Sequence, residues 1–192
     1  MEWVMGIVPV ILLVLGFPIF IILLATAAVV LMIFAPVPPM AMHINMFGSV
    51  DKFALMAVPF FIFAGEIMGH GGISKRIVAW VLSIIGGVRG SLALTTVGTC
   101  TVFGAISGSS PATVAAVGRL LYGPLRDAGY NEKFSSGLLA SSGAIAIVIP
   151  PSISMILYGA SAEQSVALLF VAGVIPGLVM AGLMAAYITL LR

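Results

Sequence analysis

Long apolar runs alternate with short clusters of Gly, Pro, Ser and charge along the whole chain. Trp3 to Phe34 is almost wholly apolar, interrupted only at Gly16-Phe17-Pro18. As one helix it would measure about 48 Å against a bilayer core of ~30 Å, so it predicts either one strongly tilted helix or two short ones. Ala35-Pro36-Val37-Pro38-Pro39 ends the run, and Met40 to Asp51, which mixes Met, Ile and Phe with His43, Asn45 and Ser49, reads as an interfacial helix. Phe53 to Gly69 is a spanning segment of about 26 Å, and Lys75-Arg76 beyond it marks the cytoplasmic side. Ile77 to Ile85, held between Lys75-Arg76 and Arg89, is too short to span and reads as an amphipathic cytoplasmic linker.

The next two apolar stretches, Leu92 to Ile106 and Ala112 to Leu125, each reach only about 22 Å and flank Ser107-Gly108-Ser109-Ser110-Pro111. With the charged stretch Arg126 to Lys133 following, they predict a re-entrant helical hairpin, with Arg119, Arg126 and Lys133 facing the cytoplasm. Phe134 to Ile149 re-enters as a helix that Pro150-Pro151-Ser152 breaks near the midplane before Ile153 to Tyr158 continues. A polar turn, Ala160 to Gln164, leads into Val166 to Leu191, with a kink expected at Pro176-Gly177. The fold class is an all-α integral membrane protein of six or seven membrane elements in one domain, residues 1–192. Residues 1–90 supply scaffold-like helices and a linker, 91–164 the hairpin and broken helix, and 165–192 a terminal helix.

Composition sharpens the picture: 61% of the 192 residues are hydrophobic and 7% charged, whereas soluble domains carry roughly 25% charged residues. The few charges punctuate the apolar runs, and a net charge of +2 without a basic stripe excludes nucleic acid as a partner. Cys100 is the single cysteine, so there is no internal disulfide and no cysteine metal cluster. Met1-Glu2-Trp3 lacks the basic region of a secretory signal, and the apolar run behind it is too long for one, so it is kept as a membrane segment.

Candidate chemistry lies at the two interruptions, Ser107 to Pro111 and Pro150 to Ser152. Backbone that unwinds at membrane depth must be buried in protein or line an aqueous cavity, and secondary transporters build ion and substrate sites from such breaks. Freed carbonyls and hydroxyls suit a hard cation such as Na⁺, and the helix starting near Ala112 points its positive end at the tip, where a carboxylate could sit. The competing reading is close packing through small residues, as in a scaffold subunit without an ion site. A channel filter is a further alternative, although Ser107 to Ser110 offers no filter-like ladder of carbonyls. Glu66 lies inside a spanning segment but within a turn of Gly69-His70, so pairing at the interface is expected before ion coupling. Gly104-Ala105-Ile106-Ser107-Gly108 differs by one residue from the Gly-x-Ser-Gly of intramembrane serine proteases. With His43 and His70 expected at opposite surfaces, no base is expected near Ser107, and the chain is not read as an enzyme.

Four stretches in this order resemble the large membrane subunit, the dicarboxylate-type M subunit, of the tripartite ATP-independent periplasmic (TRAP) transporters. They are Val58 to Met68 (Val-Pro-Phe-Phe-Ile-Phe-Ala-Gly-Glu-Ile-Met), Phe103 to Ser110, Ile149 to Ile153 and Ala172 to Gly177. The resemblance implies a Na⁺-driven elevator-type secondary transporter of carboxylates in the bacterial inner membrane. Its implied partners are a small membrane subunit, a periplasmic substrate-binding protein and membrane lipid, with Na⁺ as coupling ion and no other cofactor. It implies a binding region at Ser107, Gly108, Ser109, Ser110, Ala146, Ile149, Pro150, Pro151 and Ser152, with Ser107, Ser110, Ala146, Ile149 and Pro151 as Na⁺ ligands. The family often has Gly where this chain has Ala146. Its large subunit also continues into an inverted second half, so this chain is expected to be the N-terminal half and to lack transport alone.

Overall fold

The computed structural model describes residues 2–34, 38–88 and 90–190. The expected break at Ala35 to Val37, Arg89, and the terminal Leu191 and Arg192 lie outside the described residues. Among those residues the chain forms ten α-helices and two short 3₁₀ turns, with no strand. It divides into two compact units, residues 1–51 and 52–192.

In the first unit the long apolar run resolves into two short helices, α1 (Glu2–Val14) and α2 (Ile19–Phe34), packed on each other. Gly16 takes φ +78° in the turn between them, and the carbonyl of Pro18 accepts from the N–H groups of Ile21 and Ile22 to start α2. The expected interfacial segment is α3 (Pro39–Val50), entered from an extended Pro38. Its large apolar residues are exposed, Phe47 to 76%.

The second unit opens with a 3₁₀ turn, Phe53–Met56, that runs into α4 (Ala57–His70). α5 (Ile73–Ile85) follows and packs on α6 (Ser91–Ser107), Val81 lying against Gly98. α6 and α7 (Ser110–Asp127) pack together and are joined by only Gly108 and Ser109, so the chain reverses at that point. A second short turn leads to α8 (Glu132–Ala144), where the Asn131 side chain accepts from the Phe134 N–H at 2.7 Å and caps the new helix. α8 packs on both arms of the hairpin. After the proline break, α9 (Ile153–Ala162) and α10 (Val166–Leu190) complete the unit, α10 packing on α6 and α9.

Two apolar clusters form the core. One joins Ala93, Val97, Leu125, Leu138, Ile145, Ile149 and Ile188, and the other joins Cys100, Phe103, Ala116, Val117, Leu121 and Leu139. The core therefore lies among the hairpin, α8 and α10. Phe53–His70 and Val166–Leu190 are long and apolar enough to cross a membrane, yet only 6% and 11% of their most apolar windows is buried. Helices this apolar with this little burial have surfaces suited to lipid or protein partners, not water.

Two sequence expectations need correction. The helix expected over Phe134 to Ile149 ends at Ala144 and tightens into a 3₁₀ turn, Ile145–Ile147. The reason is that Pro150 and Pro151 have no N–H to bond the carbonyls four residues back, so the α-helix fails before the prolines are reached. The polar turn expected from Ala160 is shorter, because α9 continues to Ala162 and Glu163 closes it with φ +54°. At Pro176-Gly177, α10 continues as helix through the proline. Gly173 and Gly177 there let the broken segment approach, with Val148 and Ile149 against them.

Candidate functional site: the hairpin tip docked on the proline break

The hairpin tip is held by its own hydroxyls. Thr113 Oγ1 donates to the Ser109 carbonyl at 2.8 Å, and Ser107 Oγ lies 3.1 Å from Thr113 Oγ1. Either hydroxyl can donate in the second bond, since Ser107 Oγ also lies 3.5 Å from the Ser109 carbonyl, an acceptor for its own proton. Ser107 Oγ accepts the Ser109 N–H at 3.4 Å as well. Ser109 Oγ accepts from the Ala112 N–H at 3.4 Å and caps α7, whose first turn also carries Pro111. The positive end of α7 therefore points into the tip.

Gly108 makes the turn possible. Its φ of +63° is left-handed, and a side chain there would place Cβ 2.8 Å from the Pro151 carbonyl oxygen. The Ile153 N–H donates to the Gly108 carbonyl at 3.1 Å. The two interruptions marked out by the sequence are thus in direct contact, although they lie some forty residues apart in the chain.

At the break, two helical carbonyls lose the N–H groups that prolines replace. Ser152 Oγ recovers one of them, donating to the Ile147 carbonyl at 2.6 Å, and its oxygen also accepts from the Met155 N–H to start α9. The Ala146 carbonyl, left over by Pro150, gains no such replacement among the described residues. The same holds for the carbonyls of Ile149 and Pro151, which sit outside any helix. Pro150-Pro151 is a cis peptide bond. Ala146 and Ser152 are fully buried, Ile149 nearly so, and Pro150 and Pro151 are half-buried.

Two further residues complete the arrangement, Gly104, which the sequence offered only as part of the motif before Ser107, and Gly143, which it did not single out. A side chain at Gly104 would meet Ala146 Cβ at 2.5 Å, so α6 lies directly on the break. A side chain at Gly143 would meet Val114 and approach Ser110 Oγ at 3.5 Å, so Ser110 lies beside α8. Gly143 follows Ser141-Ser142, and that short cluster was the signal that could have marked it. Ala146 fits here because Gly104 leaves room for its methyl group.

Glu66 is not at the tip. It lies exposed on α4, its Oε1 3.4 Å from His70 Nδ1, which also lies 3.1 Å from the Glu66 carbonyl oxygen, as interface pairing anticipates. Its neighbour Gly65 does reach the tip, a side chain there meeting Ser107 Cβ at 3.2 Å. His43 lies in the first unit, and Cys100 is fully buried in the second apolar cluster.

Residues 7–191 match the family model described as "Tripartite ATP-independent periplasmic transporter, DctM component". The chain is 39% identical over 155 residues to the C4-dicarboxylate TRAP transporter large permease protein DctM of Pseudomonas aeruginosa, covering 81% of this chain and 36% of that protein. It is 42% identical over 180 residues to the ectoine/5-hydroxyectoine TRAP transporter large permease protein UehC of Ruegeria pomeroyi, covering 93% of this chain and 42% of that protein. A third relative, the isethionate TRAP transporter permease protein DctMQ of Oleidesulfovibrio alaskensis, is 48% identical over 132 residues, which is 69% of this chain and 21% of that protein. The chain thus spans less than half the length of the curated relatives it matches. This helical chain, with its tip-and-break site, belongs to the DctM component family of the tripartite ATP-independent periplasmic transporters.

Proposed function

We propose that the chain supplies one coupling-ion site of a TRAP-type secondary transporter in a bacterial inner membrane, importing a small organic acid with Na⁺. α6 and α7 are the arms of a re-entrant hairpin, and Gly108 to Ser110 is its tip at membrane depth. The transporter works by an elevator motion in which hairpin and broken helix move as one piece. A periplasmic binding protein delivers the cargo and a small membrane subunit completes the permease. The reading involves no enzymatic step.

The observation that carries it is the docking of the tip on the break, which gathers oxygens left over by both interruptions. The hydroxyls of Ser107 and Ser110 and the carbonyls of Ala146, Ile149 and Pro151 are neutral oxygen donors, the kind a hard cation takes. A site of this composition holds Na⁺ by exchanging its water for protein dipoles that already lack partners. With Na⁺ there, the positive end of α7 adds to the attraction for a carboxylate. Relatives named for C4-dicarboxylate and for ectoine favour a small organic acid, and the one named for isethionate widens the set of anions to be tried.

The test is thermal unfolding of the purified protein in Na⁺ and in K⁺ at equal ionic strength. A ligand at a hundred times its Kd stabilises by about 2.7 kcal/mol. The expected result is a Na⁺-specific rise in Tm that Ser110→Ala abolishes. Equal Tm in the two salts contradicts the proposal.

A further inference from the structure

α8 and α10 each pack on α6 but hardly on each other, and a groove of about 410 Å³ opens between α8 and the last turns of α10. α8 starts at this level and α10 finishes there, so the groove lies at one end of the helical layer. Gly137 gives it an open floor: a side chain there would enter free space, with nothing within 4 Å of its Cβ.

The groove is polar at its mouth and apolar along its walls. Asn131 and Lys133 line the mouth from the start of α8, and Tyr187 lines it from α10. The Asn131 side-chain oxygen is taken by the Phe134 N–H, so the amide N–H groups are what it has left to offer. Lys133 makes no ion pair among the described residues, and its acidic neighbour Glu132 does not line the groove. Lys133 also sits in the first turn of α8, where the helix dipole is already positive and a cation is disfavoured unless an anion lies beside it. Donors and positive charge therefore meet at the mouth with no carboxylate to answer them. Further in, the walls are Phe134 and Leu138 on α8 and Met184 and Ile188 on α10. From Lys133 to Ser141, the last lining residue of α8, is about 12 Å along the helix.

We propose that this groove binds an anionic phospholipid, with its phosphate at Lys133, Asn131 and Tyr187 and the first carbons of one acyl chain over Gly137. A free inorganic anion would leave the apolar walls uncovered, and an uncharged chain would leave Lys133 unanswered. The ammonium group of a zwitterionic lipid would find no carboxylate at the mouth. A lipid with a net negative head meets both ends of the groove, and basic pockets between membrane helices are a general means of holding such heads. The sparsely buried, apolar surface of α10 is where lipid is at hand. The inference rests on the membrane setting of the chain and not on the proposed ion coupling.

Native mass spectrometry of the detergent-purified protein, titrated with phosphatidylglycerol and with phosphatidylcholine of the same chains, tests it. Sodium-free ammonium acetate keeps the result independent of ion coupling. The first lipid bound is expected to be phosphatidylglycerol, with several times the affinity of phosphatidylcholine. Lys133→Gln should lower phosphatidylglycerol affinity about fivefold, the effect of one Lys beside an anionic head, and leave phosphatidylcholine unchanged. Lys75→Gln, at an exposed lysine on α5, should change neither. Gly137→Leu fills the groove and should abolish the preference without lowering Tm, since its side chain enters open space and leucine favours helix over glycine. Equal affinity for the two lipids overturns the proposal, as does a loss in Lys75→Gln as large as that in Lys133→Gln. Unchanged binding in Gly137→Leu, which would put the lipid elsewhere and leave the groove to a protein segment, also overturns it.

Discussion

The N–H of Ile153 donates to the carbonyl of Gly108 at 3.1 Å, tying the first residue of α9 to the turn of a hairpin on the other side of α8. Through this bond the tip and the proline break become one structural object.

Gly108→Ala forces a left-handed turn on a residue with a Cβ and sets that Cβ against the Pro151 carbonyl. The left-handed conformation alone costs about 1–2 kcal/mol. A fall in Tm of several degrees is expected, with faster hydrogen exchange at the Ile153 amide than in the unaltered protein.

Gly104 and Ala146 are complementary in volume. Gly104→Ala should cost about 1–3 kcal/mol by overpacking. Adding Ala146→Gly should recover only part of it, because it removes the methyl group but leaves the residue 146 Cα 2.7 Å from the new Cβ. Thermal unfolding of the two single variants and the double variant measures the coupling, and additive losses would contradict the packing described.

The Ser152 hydroxyl serves two groups, donating to Ile147 and capping α9. Ser152→Ala should destabilise by about 1–3 kcal/mol, since it removes the donor to the Ile147 carbonyl in a part-buried bond as well as the cap of a helix start. Ser152→Thr keeps the hydroxyl and should lose less in the same assay.

Glu163 presents opposing effects. It pairs with Lys52 at 3.2 Å, but the pair is exposed, and Glu163 closes α9 in a left-handed conformation. Exposed ion pairs contribute roughly 0–1 kcal/mol, and a glycine relieves about as much backbone strain. Glu163→Gly should therefore leave Tm unchanged or raised, while Glu163→Ala should lower it, as parallel melts will show.

Much of the fold was legible because its boundaries fall at residues that constrain the backbone. Ser107 to Pro111 marks the reversal between α6 and α7, and Gly16 with Pro18 marks the gap between α1 and α2. The end of α8 was misjudged by five residues because a proline acts on the carbonyl four residues before it, not only at its own position. The two interruptions could each be found from the residues, but their meeting came only as what the family resemblance implied, because it depends on how α8 and α10 pack. The roles of Gly104 and Gly143 were hidden for the same reason: each matters through a neighbour distant in the chain, Ala146 and Ser110 respectively.

The most direct test of the central claim, that tip and break form one sodium-dependent unit, is hydrogen exchange of the protein in lipid nanodiscs. Peptides covering residues 103–114 and 145–156 would be followed in Na⁺ and in K⁺ at equal ionic strength. The account predicts that Na⁺, and not K⁺, slows exchange in both peptides together. Exchange that is the same in the two salts, or slowed in one peptide alone, would contradict it.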